Sequence, residues 1–428
     1  MAGHLRRGCS TARLACVWLA LAAAQAARAD GAFPDEFSIH FPANAPHRIY
    51  LGANFGMLVS EDDGLTWRYS CEPWVVAGSN AALAFASVNL YQVTLDGALL
   101  ATSPQASTVT RSADVACTWP ASTGAVANQF TSDVFPDPND ASFVLAIVVL
   151  ANGSAIVASH DGGKTFDAPH LYETPDLLTG VEIARSKRGV VYATSTSPAG
   201  GPPKFLASVD SGVTWTATPL TILAATEPRV LGVDPENERK VYLRIVGAVS
   251  DEIWMTADGG QTFQTLLPPI AGQLSSFLRA TDGALYAGTR AGKLYVQPPG
   301  TTGFGAPKDA PHFRCLGQRR GTARIYACSD MVVDGYSLAK SDDNGSTFQP
   351  VMSFTQLAGL LGCAPVQTNC AAHWDRIQGV LGITRPDAGT GQTSRPSHCA
   401  SAGGDVWGLL LVAWLRSRRR NPRAQSSP

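Results

Sequence analysis

A turn frame repeated at near-regular spacing, a strand pattern running in phase with it, and a chain rich in turn formers predict an all-β fold. The expected architecture is a seven-bladed β-propeller with Asp-containing hairpin turns and a short helical C-terminal cap. The frame S/T-x-D-x-G-x-T-W/F is set by Ser60, Asp62, Gly64, Thr66 and Trp67. It returns as Ser159, Asp161, Gly163, Thr165, Phe166; as Ser208, Asp210, Gly212, Thr214, Trp215; as Thr256, Asp258, Gly260, Thr262, Phe263; and as Ser341, Asp343, Gly345, Thr347, Phe348. A degenerate copy keeps Ser112, Asp114, Thr118 and Trp119, with Ala116 in the Gly slot. Repeats of this period mark a repetitive architecture.

The frames open at 60, 112, 159, 208, 256 and 341, which gives intervals of 52, 47, 49, 48 and 85. The last interval is nearly two periods, so one copy is expected between 256 and 341. Val296–Phe304 fits best, because it keeps a Gly, a Thr and a displaced aromatic without the Asp. Seven repeats of this length each hold four short strands, one propeller blade. Before the frames run strands such as Ile49-Tyr50-Leu51, Val191-Tyr192-Ala193, Val241-Tyr242-Leu243, Leu285-Tyr286-Ala287 and Ile325-Tyr326-Ala327. Turn formers such as Asp137-Pro138-Asn139 and Asp282-Gly283 punctuate them.

Physically, the frame reads as a hairpin tip. The Asp and Ser/Thr side chains hydrogen-bond nearby amides, the Gly takes a positive φ, and the closing aromatic starts the next strand. The frame resembles the BNR or Asp-box repeat of sialidases, sortilin-type receptors and related propellers. That resemblance implies a structural hairpin on the rim, away from any catalytic or binding face.

In chain order, residues 1–29 are expected to form a secretory signal. Arg6 and Arg7 precede an apolar run over 14–24, and Ala27-Arg28-Ala29 makes a small-x-small cleavage site. Residues 30–383 form the propeller with its cap, the cap being 357–383, where Leu357, Leu360, Leu361, Trp374, Ile377, Val380 and Leu381 fit a helical stripe. Trp374 reads as a packing anchor. The body holds an even set of six cysteines, so disulfides are expected in an exported chain. Cys315 and Cys328 flank a hairpin and Cys363 and Cys370 lie close in the cap, which leaves Cys71 with Cys117. A zinc site is the rival, but C-x-x-C spacing is absent and the histidines are scattered. Neither metal nor cofactor is expected.

Residues 384–398 read as a Gly/Pro/Ser linker, and 399–428 as a tail in which Cys399 precedes an apolar run over 406–415 and the cluster Arg416, Arg418, Arg419, Arg420. This order resembles the MYXO-CTERM sorting tail of myxobacterial surface proteins. The resemblance implies membrane attachment through the tail, processing near Cys399 and retention at the cell surface or outer membrane, or release outside the cell. The alternatives for Cys399 are an intermolecular disulfide or a free thiol.

The net charge of −1 and the lack of a basic cluster in the repeats argue against nucleic acid as a partner. A sialidase-like activity would need an R-I-P arginine, further carboxylate-binding arginines, a Tyr–Glu pair and an acid Asp. Arg48-Ile49-Tyr50 approaches the first, but Tyr50 replaces the Pro, and Arg324-Ile325-Tyr326 repeats the same pattern. No carboxylate pair or Ser-His-Asp arrangement stands out, so no catalytic residue is assigned. The expectation is a monomeric, non-catalytic binding or scaffold module for a glycan or a protein. The alternative is a glycan-acting enzyme, and the side chains on the central axis would separate the two.

Overall fold

The computed structural model describes residues 36–76, 90–103, 107–222 and 226–383. The signal segment, the linker and the tail with Cys399 lie outside the described residues. Seven sheets are laid down one after another by consecutive strands. Blade 1 is β1 (Glu36–His40), β2 (Ile49–Ala53), β3 (Gly56–Ser60) and β4 (Arg68–Cys71). Blade 2 has β5 (Leu90–Val93), β6 (Leu99–Thr102) and β7 (Val109–Ser112). Its outer edge is an irregular stretch in which the Arg111 and Ser122 amides donate to Pro120 and Val109 carbonyls. A two-residue strand, β8 (Thr123–Gly124), then crosses to pair in parallel with β12 (Thr165–Phe166) of blade 3. The remainder of blade 3 is β9 (Phe130–Pro136), β10 (Val144–Leu150), β11 (Gly153–Ser159) and β13 (Tyr172–Thr174).

Blades 4 to 7 are regular four-stranded units: β14–β17 over 177–219, β18–β21 over 227–271, β22–β25 over 274–309 and β26–β29 over 313–352. The first strand of each blade lies innermost, and neighbouring inner strands meet around most of the ring, with β26 (Phe313–Gln318) against β1 at the seam. The strands form because β-branched and aromatic residues alternate with small ones between turn signals. They stay together because apolar clusters fill the spaces between blades, such as Leu145, Ile147, Val181, Ala193 and Leu206 between blades 3 and 4.

Among the described residues no strand is exchanged between the first and last blades. The seam is closed instead by the C-terminal segment. A 3₁₀ turn (Phe354–Gln356) stands Phe354 edge-on to Phe55 with centroids 5.0 Å apart. The chain then runs along β4, where the Ala358 and Leu361 amides donate to the Trp67 and Tyr69 carbonyls and the Tyr69 amide donates to Gly359. This corrects the sequence reading of Leu357, Leu360 and Leu361 as helical. They are extended and add a parallel edge to blade 1. Two short helices follow, Ala364–Asn369 and Ala371–Val380, and Trp374 packs on Tyr69 at 5.9 Å. The largest apolar cluster unites blades 1, 2 and 7 with this cap.

The disulfides follow the same route, and two of the three pairings differ from the expected ones. Cys315–Cys328 forms across β26 and β27 as expected. The expected Cys71–Cys117 and Cys363–Cys370 bridges do not form. Cys71 joins Cys370 and Cys117 joins Cys363, at separations of 299 and 246 residues. Both bridges staple the cap to blades 1 and 2, because the cap folds back over the start of the ring instead of closing on itself.

Candidate functional site

The six recognisable turns share one hydrogen-bond scheme. Ser60 Oγ donates to Asp62 Oδ1 at 2.8 Å and accepts from the Gly64 amide at 2.8 Å. Asp62 Oδ1 also accepts from the Thr66 amide, its Oδ2 accepts from Thr66 Oγ1, and Trp67 Nε1 donates to the Gly64 carbonyl. Ser112, Asp114, Thr118 and Trp119 repeat this, with the Ala116 amide donating to Ser112 Oγ. So do Ser208, Asp210, Gly212, Thr214 and Trp215. Ser159 and Thr256 hold Asp161 and Asp258 in the same way, with Gly163, Thr165, Gly260 and Thr262 completing the ring of bonds. Ser341, Asp343, Gly345 and Thr347 close the last copy. Phe166, Phe263 and Phe348 pack between blades where the tryptophans do elsewhere.

The recurring Asp of each of these turns is held by hydrogen bonds from its own turn. Hydrogen bonds from Thr214 and Ser208 hold Asp210 down to about 2, and those from Thr347 and Ser341 do the same for Asp343. Asp62 feels an opposing push from burial, but bonds from Thr66 and Ser60 leave it lowered. These groups are turn-formers, spread one per blade, and the structure brings none of them together.

Blade 6 shows what the missing copy became. Leu285 pairs with Gln297 where Ile49 pairs with Ser60, so Gln297 and not Val296 occupies the first position. Counted from there, Phe304 falls in the aromatic slot and is no longer displaced. Gln297 Nε2 donates to the Thr301 carbonyl and Thr301 Oγ1 to the Pro298 carbonyl, two side-chain links to backbone in place of the Ser–Asp network.

The axis of the ring carries what sequence reasoning missed. Six of the seven inner strands contain a one-residue bulge, between Glu36 and Ser38 in β1, at the matching places in β9, β14, β22 and β26, and two residues further along in β18. Bulges re-aim side chains. An axial cavity of 470 Å³ is lined by Ser38, Gln92, Ser275, Ser276, Leu231 and Leu316, together with Leu90, Leu274 and Phe277. The two arginines at its wall are tied, Arg244 to Asp251 and Arg314 to Asp330, each at 2.6 Å. Ser38 Oγ, Thr131 Oγ1, Ser132 Oγ and Ser276 Oγ, all on inner strands, are buried without a protein partner.

Two of the inner-strand carboxylates, those of Asp133 and Glu182, bond to backbone amides of the next blade. Asp133 Oδ2 accepts from the Val181 amide of the next blade at 2.9 Å, and its Oδ1 accepts from the Val134 amide at 2.9 Å. Glu182 Oε2 accepts from the Val233 amide of the blade after that at 3.1 Å. Both are partly exposed yet deep among protein atoms. That setting pushes Glu182 up to about 8, with the nearby Asp133 adding to the effect, and pushes Asp133 up to about 6 against the pull of its two amides. The sequence offered a weak signal for them, single acids in otherwise uncharged inner-strand stretches. Among the described residues no group of three or more His, Cys, Asp or Glu side chains could hold a metal ion.

No protein-family description and no curated protein matches this chain. Solved structures do. Prolyl oligopeptidase B from Galerina marginata matches at 12% identity over 81% of this chain and 56% of that one, with a TM-score of 0.52. YCF48 from Cyanidioschyzon merolae matches at 14% identity over 69% and 92%, with a TM-score of 0.48. The GH74 xyloglucanase from Xanthomonas campestris matches at 12% identity over 76% and 80%, with a TM-score of 0.39. The chain thus spans little more than half of the first of these. At such identities the likeness is one of fold, and the fold is a seven-bladed β-propeller with three disulfides, a set of bridges that forms in an oxidising compartment.

Proposed function

We propose that this chain is an exported, non-catalytic binding module that takes a glycan or protein segment on the propeller axis. Its turns follow the Asp-box pattern, and its tail holds it at the cell envelope through Cys399. The observation that carries the reading is the chemistry of the axis. Two hydroxyls with no protein partner, those of Ser38 and Ser276, line the axial cavity beside apolar walls, while Asp133 and Glu182 spend oxygens on backbone amides, including those of the neighbouring blades. Neutral polar groups on an apolar wall suit hydrogen-bonded capture of an uncharged segment. Carboxylates that clamp strands are poorly placed to move protons for a substrate.

The test pairs a glycan and peptide array with a hydrolysis assay on the secreted chain. Binding without turnover, weakened by Ser38→Val or Ser276→Val, is expected. Sugar release that disappears in Glu182→Gln would overturn this reading in favour of a glycan-acting enzyme. Anchoring is tested separately by fractionating cells making the wild type and Cys399→Ser. Retention of the wild type alone at the envelope is expected, and equal release of both refutes the anchor.

A further inference from the structure

The channel has a mouth on the face that carries the repeated turns, where the inner strands of blades 1, 2, 3 and 7 end. A second cavity of 340 Å³ lies there, sharing Ile39 and Gln92 with the axial one. Its walls mix apolar and polar groups, with Phe41 and Phe135 flanked by Pro42, Pro136 and Pro138, together with Gln92, Thr94 and Gln318. Two further residues set its chemistry. Arg320, from the turn after β26, lines the cavity and makes no ion pair or hydrogen bond among the described residues. His40 lines it from blade 1, with a buried Nε2 that has no protein partner. The ring is buried and held neutral, its pKa lowered by desolvation to about 4. It therefore offers one hydrogen-bond donor and one acceptor and no charge.

An acid also lines this cavity. Asp137, on blade 3, is buried, accepts from the Asn139 amide at 2.7 Å, and is shifted by burial towards its neutral form. It does not pair with Arg320. The neighbouring arginine Arg319 is already committed to Asp63 at 2.9 Å and stacks on Phe41. Arg320 thus remains the one unpaired cation among the residues lining this cavity.

From this arrangement we propose that the mouth is a subsite for a carboxylate carried on an apolar body, with Arg320 pairing with the carboxylate and Phe41, Phe135 and the prolines taking the body. A guanidinium is built for this, since its planar fork matches a carboxylate's two oxygens. The inference rests on the axial binding reading and adds the charge that the ligand carries. The carboxylate can come from a free small acid or from the end of a peptide chain.

The test uses the secreted full-length chain and ligand-observed NMR titration. One arm is 3-phenylpropionate against 3-phenylpropionamide. The other is Gly-Gly-Phe with a free carboxyl group against its C-terminal amide. In at least one arm the acid is expected to bind about tenfold to hundredfold more tightly than its amide, the size of a charged hydrogen-bonded pair. Arg320→Gln should abolish that preference while Arg320→Lys keeps part of it. Circular dichroism of each variant confirms folding, which the exposed position of Arg320 favours. Equal binding of acid and amide, no binding of either acid, or a preference that survives Arg320→Gln overturns the proposal. A chain that lacks the preference yet still binds array ligands through Ser38 and Ser276 keeps the axial reading and loses only this subsite.

Discussion

The two long-range disulfides make a quantitative prediction, because they overlap. Each constrains the unfolded chain in proportion to the logarithm of the loop it closes. Alone, a bridge over the 299 residues between Cys71 and Cys370, or the 246 between Cys117 and Cys363, limits unfolded-state entropy by about 5–6 kcal/mol at 25 °C. With one already closed, the other closes only the short route from Cys71 to Cys117 and from Cys363 to Cys370, a loop of about 50 residues worth about 4 kcal/mol. Replacing one pair by alanines should therefore cost about 4 kcal/mol and replacing both about 10, more than twice the single loss. Cys315–Cys328, with a separation of 13, should cost about 3 kcal/mol on its own and add independently.

The assay is urea unfolding of the three single-bridge variants and the double one without reductant, with the slope checked for constancy. Hydrogen exchange at the Tyr69 amide, which donates to Gly359 of the cap, reports whether the cap has lifted. If either long bridge costs no more than Cys315–Cys328, or if the two long ones add strictly, the ring-closure reasoning is wrong.

Other expected outcomes follow from the same geometry. Glu182 and Asp133 have folded pKa values raised to about 8 and about 6 from 4.5 and 3.8, so the folded state holds more protons than the unfolded one across those windows. Stability should then fall as pH rises from about 4 to 8, with each group contributing a slope of up to about 1.4 kcal/mol per pH unit. Glu182→Gln should flatten the part between 6 and 8 in a series of melts. Val115 and Ala116 sit at φ 60° and 63°, a region that costs a side-chain-bearing residue about 1–2 kcal/mol. Val115→Asn and Ala116→Gly should each raise the melting midpoint by the equivalent of up to about 1 kcal/mol. Gly52→Ala would bring a methyl group to 2.4 Å from Tyr91 Cδ2 and 2.5 Å from Ser38 Oγ, between blades 1 and 2. A loss of about 1–3 kcal/mol in the same melts is expected.

What the sequence made legible divides along a physical line. The repeated turns could be read directly, because each is closed by side chains within eight residues of one another, from Ser60 to Trp67 for example. The second strands were legible for the same reason, since Tyr50, Tyr192, Tyr242, Tyr286 and Tyr326 recur at one position of a local pattern. The disulfides were misread because nearness in sequence was weighed above the return of the chain. Only a closed ring brings Cys370 back to Cys71, and nothing near either cysteine announces the closure. The axis was illegible on similar grounds. Ser38, Ser132 and Ser276 come from blades 1, 3 and 6, and the bulges that change the aim of the inner strands leave no mark on a strand pattern of period two.

Blade 6 decides how the recurring Asp should be understood. Its turn has no carboxylate, and Gln297 and Thr301 tie the loop through one side-chain bond each to a backbone carbonyl. Even so, β24 (Lys293–Gln297) and β25 (Lys308–Asp309) still pair, and Phe304 still packs against the core between blades 5 and 6. The aromatic slot and the turn survive without the acid, so the acid serves the turn's local stability and carries no duty shared by the seven blades. A ligand or a catalytic centre that required those carboxylates would have to tolerate their placement one per blade, each already held by its own threonine and serine. The proposed binding chemistry accordingly rests on the inner strands, where the blades differ from one another, while the recurring acids are spent on the turns, where the blades are alike.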